Sequence, residues 1–127
     1  YADVKQNKLT YAQLQNQDGK YVSPSEDSFK AAAAGANWSQ SFYQILTNQP
    51  GQAAWPITSA TFILMHKAQD KPAQAQASLK FFEWAYKSGD QTASGLDYVP
   101  MPDNVKDVIF KSWGGIQDTA GKSINLQ

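Results

Sequence analysis

Cysteine is absent from this chain, and so is arginine. Without a thiol there is no disulfide framework, no thiolate metal site and no cysteine nucleophile. Without a guanidinium the chain lacks the side chain best shaped for a two-pronged grip on carboxylate or phosphate. Any oxyanion site made by this chain alone would rest on lysine, hydroxyls and backbone N–H groups. Eleven lysines balance eleven Asp and Glu, so the formal net charge is zero and the basic excess of nucleic-acid binders is missing. No apolar run approaches the roughly 20 residues a membrane-spanning helix needs. Apolar material is nonetheless plentiful: 127 residues at 42% hydrophobic and 13% aromatic suffice for one small domain with a core, and argue against intrinsic disorder.

The chain opens at Tyr1 with no signal segment before it, and reads as a processed, truncated or cloned piece. Asp18-Gly19, between Leu14 and Tyr21-Val22, predicts a tight turn in a short hairpin. Ser23-Pro24-Ser25-Glu26 predicts a helix start, with Ser23 as cap, Pro24 in the first turn, Glu26 closing a capping box and Gly35 as the stop. The apolar stretch from Trp38 to Leu46 fits no single period. Ile57 to His66 is the best strand, apolar enough towards its end to be buried on both faces. Asp70-Lys71-Pro72 opens a strong helix to Ser88, stopped by Gly89, with Leu79, Phe82, Ala85 and Tyr86 on its apolar face. Asp103 is expected to cap a last helix carrying Val105, Val108, Ile109 and Trp113, ended by Gly114-Gly115, with a polar tail beyond Ile116 on the surface. Strand alternating with helix suggests an α/β fold.

Chemistry is thin. His66 is the only histidine, and a polar residue at a strand end explains it better than catalysis or metal binding, which need partners. Asp103 and Asp107 lie four apart, but the first is better used as a cap. Phe82 and Tyr86 fit helix packing, which leaves Phe81 and Trp84 for a second packing layer rather than a ligand stack. Thr58, Ser59 and Thr61 lead into the expected buried strand, where hydroxyls need partners. They either line a ligand cleft or satisfy loop backbone, and the residues alone leave both readings open. No catalytic group, metal site or cofactor site is expected.

Several strings carry an identity: Ala54-Trp55-Pro56-Ile57-Thr58-Ser59 running into Thr61-Phe62-Ile63-Leu64, Leu79 to Lys87, Leu96-Asp97-Tyr98 followed by Pro102-Asp103, Lys5-Gln6-Asn7 and Leu46-Thr47-Asn48-Gln49. From about Tyr1 to Gly121, in order, the chain resembles the periplasmic phosphate-binding proteins of Pst-type ABC importers. The resemblance implies the C-terminal portion of a two-lobed α/β solute-binding protein, two to three times this length. Residues 1–55 would complete the second lobe, 56–61 would cross between lobes, and 62–127 would complete the first. Trp55, Pro56, Ile57, Thr58, Ser59 and Thr61 would form the hinge and a possible cleft edge.

The family's direct phosphate ligands are a Thr-Phe pair, a Ser in a Gly-rich loop, an Asp and an Arg before a Gly-Ser-Gly-Thr turn. They come earlier in the family's chain and have no counterpart here. The implied partners are inorganic phosphate in the intact protein, the ABC permease in the inner membrane, and the missing N-terminal segment or a second copy of the chain, in the periplasm. An interaction or adhesion protein built on the same fold is the alternative. Proteolytic nicking of a longer polypeptide is the preferred origin of the piece.

Overall fold

The computed structural model describes residues 1–124. Helices dominate: α1 (Ala2–Gln6), α2 (Glu26–Ala34), α3 (Pro72–Ser88), α4 (Asp90–Gly95) and α5 (Asp103–Ser112), with a single 3-10 turn at Trp113–Gly115. Strands are short and come in two separate pairs. β1 (Leu14–Gln15) and β2 (Tyr21–Val22) form the antiparallel hairpin that Asp18-Gly19 predicts, with Leu14 opposite Val22 and Gly19 at φ +75°. β3 (Ala68–Gln69) and β4 (Gln117–Asp118) run parallel, Ala68 opposite Gln117. This mixture fits an α/β class.

Three helix boundaries follow from local chemistry. α3 starts with Pro72 in its first turn and ends on Gly89, as expected, and buries Ala75 and Leu79. A Cβ at Gly89 would come within 2.4 Å of the Ala85 carbonyl, so only glycine fits that stop. α2 begins two residues later than predicted. Its cap is Ser25, whose hydroxyl accepts from the Ser28 N–H while the Ser28 hydroxyl accepts from the Ser25 N–H. Glu26 is then the first helical residue, with Ser28 in the box position, and its carboxylate pairs with Lys30 one turn on at 2.6 Å. Asp103 likewise is no cap: Pro102 occupies that position, and the Asp103 carboxylate lies 3.5 Å from Lys106.

The expected strand from Ile57 to His66 does not form. A strand buried on both faces needs a neighbour on each side, and no described residue makes a backbone hydrogen bond with residues 57–65. Its apolar side chains are exposed instead, Leu64 at 92%. The polar tail past Ile116 lies largely at the surface, where Gln117–Asp118 is β4 and Asp118 Oδ1 accepts from the Ala120 and Lys122 N–H groups to close the turn after it.

The core joins Ala33 at the end of α2, Trp38, Leu46 and Val105 of α5, with Phe42, Ala60, Met101, Val108 and Ile109 against it. Trp38 Nε1 donates to the Ala33 carbonyl at 2.6 Å, which gives the irregular 36–46 stretch a fixed anchor. No described helix is long and apolar enough to cross a membrane.

Candidate functional site

The six residues singled out by resemblance differ in burial. Trp55 is buried: its main-chain N–H donates to the Ser28 carbonyl at 3.0 Å, and its ring meets Phe29 edge-on at 6.4 Å. Pro56 is half-buried, and its carbonyl accepts from the Asn48 N–H at 2.8 Å. Thr58 is 9% exposed and donates its hydroxyl to the Trp55 carbonyl at 3.0 Å. The Thr58 hydroxyl thus bonds loop backbone, while Thr58 also borders an open groove. Ile57, Ser59 and Thr61 are exposed.

Asn16 positions this turn and carried no warning in the sequence beyond its place before Asp18-Gly19. It is buried, and its side-chain N–H₂ faces the carbonyls of Gly51, Gln52 and Ala54 at 3.1, 2.9 and 3.2 Å. Its Oδ1 accepts from the Lys20 N–H at 3.0 Å. One amide thus ties the hairpin to the loop that delivers Trp55.

From Ile57 onward the chain forms one wall of an open groove of about 780 Å³. Ile57, Thr58, Ser59, Thr61 and Ile63 line that wall, and Phe82, Trp84 and Tyr86 of α3 line another. Tyr1 and Phe29, edge-to-face at 5.1 Å, also line it. Burial pushes the Tyr86 hydroxyl above its ordinary range.

The charges decide what this groove can hold. Its lining includes Asp3, Asp90 and Asp97 and no lysine. The cations behind it are already engaged: Lys5 pairs with Asp97 at 2.5 Å, and Lys106, 7% exposed, pairs with Asp90 at 2.5 Å. The Asp97 hydrogen bond is also what raises Lys5 above the ordinary lysine range. Lys106 and Lys5 offset Asp90 and Asp97, and the lining has no lysine of its own to attract a phosphate ion.

Elsewhere, no strand ends at His66, since residues 57–66 form none. His66 is exposed, with its carbonyl accepting from the Gln69 amide at 2.6 Å, and no group of metal-ligating side chains occurs among the described residues. Phe81 and Trp84 are each 58% exposed and lie 5.9 Å apart, so the second packing layer expected over them is not supplied by the described residues.

No protein-family model matches the chain. Curated relatives do. A protein of Pasteurella multocida named phosphate-binding protein PstS is 45% identical over 127 residues, 98% of this chain and 37% of that protein. Proteins of the same name from Haemophilus influenzae and Xylella fastidiosa are each 46% identical, over 89% and 85% of this chain and 34% and 30% of their own lengths. The chain thus spans about a third of the length of the relatives it matches. Identity at this level along nearly the whole chain leaves one assignment: it belongs to the family of phosphate-binding proteins named PstS, as a C-terminal portion.

Proposed function

We propose that this chain is the C-terminal portion of the phosphate-binding component of an ABC importer, working in the periplasm, and that it supplies scaffold and the crossing between lobes but no phosphate ligand. The observation that carries the role is the 45% identity to a phosphate-binding protein along 98% of the chain. The carboxylate-lined groove and the lack of arginine support the division of labour, since neither offers an anion a seat.

In this reading residues 1–55 complete one lobe, 56–61 cross, and 62–127 complete the other. Ser59 and Thr61, exposed on the groove wall, are the hydroxyls free to stand at the cleft edge, while Thr58 stiffens the crossing through Trp55. The function is binding and delivery to a membrane permease, with no bond made or broken. Closure of two lobes over the ion would exclude water and present one closed surface to that permease. Hydroxyl and N–H donors with one carboxylate acceptor, all from outside this chain, would prefer protonated phosphate to sulfate, which brings no proton.

The test is uptake. A chimera of the Pasteurella multocida relative, with its matching residues replaced by this chain, is expected to restore labelled-phosphate uptake to cells lacking their own phosphate-binding protein. A chimera that reaches the periplasm folded and restores nothing overturns the proposal.

A further inference from the structure

Main-chain bonding does not hold the two sides of the crossing together. Among the described residues no backbone hydrogen bond runs between residues 1–56 and residues 66–124. Side chains join them instead. Ala33, Trp38 and Leu46 on one side pack with Val105 on the other, a contact that is apolar and therefore without direction. Among the described residues one ion pair spans the crossing: Lys5 Nζ lies 2.5 Å from Asp97 Oδ1. The pairs of Lys30 with Glu26, of Lys87 with Glu83 and of Lys106 with Asp90 and Asp103 each stay on one side.

Both ends of the spanning pair are held in place. Asp97 sits in the turn after α4 at φ +62°, with its N–H on the Ser94 carbonyl at 3.0 Å and its side chain only 15% exposed. Lys5 lies in the last turn of α1, 5.5 Å from the centre of the Tyr1 ring, which itself packs on Phe29. Partners already placed lose less side-chain freedom on pairing than two free surface chains do. Weaker polar contacts run alongside. Lys30, and after it Ser94, lower the Glu26 carboxyl, while Glu26, and after it Asp90, raise Lys30, so α2 presents polar partners to α4. Asp97 shares the groove lining with Ser59 and Thr61, which puts the pair on the cleft side of the crossing.

We propose that Lys5–Asp97 is a clasp between the two sides that stabilises their closed arrangement, making both positioning residues for a phosphate ion that neither touches. The inference rests on the functional reading above and adds the residues that bias closure. An apolar contact tolerates sliding, whereas an ion pair fixes the angle at which the sides meet. Opening returns both charges to water, so the pair favours the closed state by its own strength and raises the fraction competent to hold the ion.

Calorimetric titration of phosphate into the chimera and its variants tests the clasp. Asp97→Asn, which suits the same left-handed backbone, and Lys5→Met should each weaken binding about two- to fivefold, the span of a partly exposed ion pair. The double variant should bind no more weakly than either single. Lys5→Arg keeps the charge and should bind like the parent. Glu83→Gln changes the net charge as Asp97→Asn does, but breaks a pair within α3, and should also bind like the parent. Singles as tight as the parent, or a double variant whose loss is the product of the two, overturn the clasp and leave the transport reading standing. An equal loss in Glu83→Gln traces the effect to net charge and overturns it too. A parent chimera that binds no phosphate overturns both.

Discussion

Asn16→Ala should destabilise the chain far more than its position in a hairpin turn suggests. The side-chain amide has two hydrogens for three carbonyls, those of Gly51, Gln52 and Ala54, and its oxygen takes the Lys20 N–H. Each net hydrogen bond contributes about 1 kcal/mol, and a buried acceptor left unsatisfied adds about 1–3 kcal/mol. Ala54 is fully buried, so water cannot replace the lost donor at its carbonyl. A loss of about 2–4 kcal/mol follows. With urea slopes of about 1–3 kcal/mol/M, the unfolding midpoint should drop by about 1 M or more at unchanged slope. Asn16→Asp should be worse, because it turns a carboxylate oxygen towards the same three carbonyls. Gln17→Ala, next door and exposed, should fall within about 0.5 kcal/mol of the parent. If Asn16→Ala behaves like Gln17→Ala, or if Asp is tolerated as well as Ala, the hub does not hold Trp55 in place and the reasoning fails.

Three further outcomes follow from the same structure. Gly89→Ala should cost more than the ordinary helix-end substitution, because its Cβ would meet the Ala85 carbonyl at 2.4 Å; a midpoint shift in urea no larger than that of Gly114→Ala, where the Cβ meets nothing, would contradict it. Leu64→Ala should leave the chain within about 0.5 kcal/mol by urea unfolding, since Leu64 is 92% exposed; a larger loss would contradict that exposure. Stability should fall at both ends of the pH scale. Glu26 is held below its ordinary range first by Lys30, so its contribution is present above pH 4.5 and is lost as pH drops through its lowered value. Lys5 and Lys30 are raised by Asp97 and Glu26, so theirs are present below pH 10.5 and are lost as pH climbs through their raised values. Buried Tyr86 adds to the alkaline loss, because the unfolded chain ionises first. Midpoints that stay flat across both limbs would refute the assignment.

Local signals made much of the fold legible. Pro72, Gly89 and the spacing of Leu79, Phe82, Ala85 and Tyr86 sufficed for α3, and Asp18-Gly19 for the hairpin. Where two local arrangements competed, the sequence was ambiguous: Ser25 and Ser28 cap α2, and Glu26 pairs with Lys30 instead of closing a box with Ser23. β3 and β4 are two residues each and lie almost fifty residues apart, too short to leave a periodic trace. Ile57 to His66 misled for a different reason, since its strand propensity is real but no described residue pairs with the backbone of residues 57–65. At the candidate site, the resemblance picked out residues 55–61 as strings. That Thr58 bonds to Trp55, that Asn16 organises the approach, and that Asp3, Asp90 and Asp97 share a groove are all contacts between distant positions. No spacing along the chain encodes them.

Calorimetric titration of phosphate tests the central claim most directly, with the 127-residue chain and the chimera measured side by side after mass spectrometry confirms the length of each. The chain alone should give no saturable heat, and the chimera should bind. Tight saturable binding by the isolated chain would mean that its lysines, hydroxyls and backbone build an oxyanion site after all, and would contradict the division of labour.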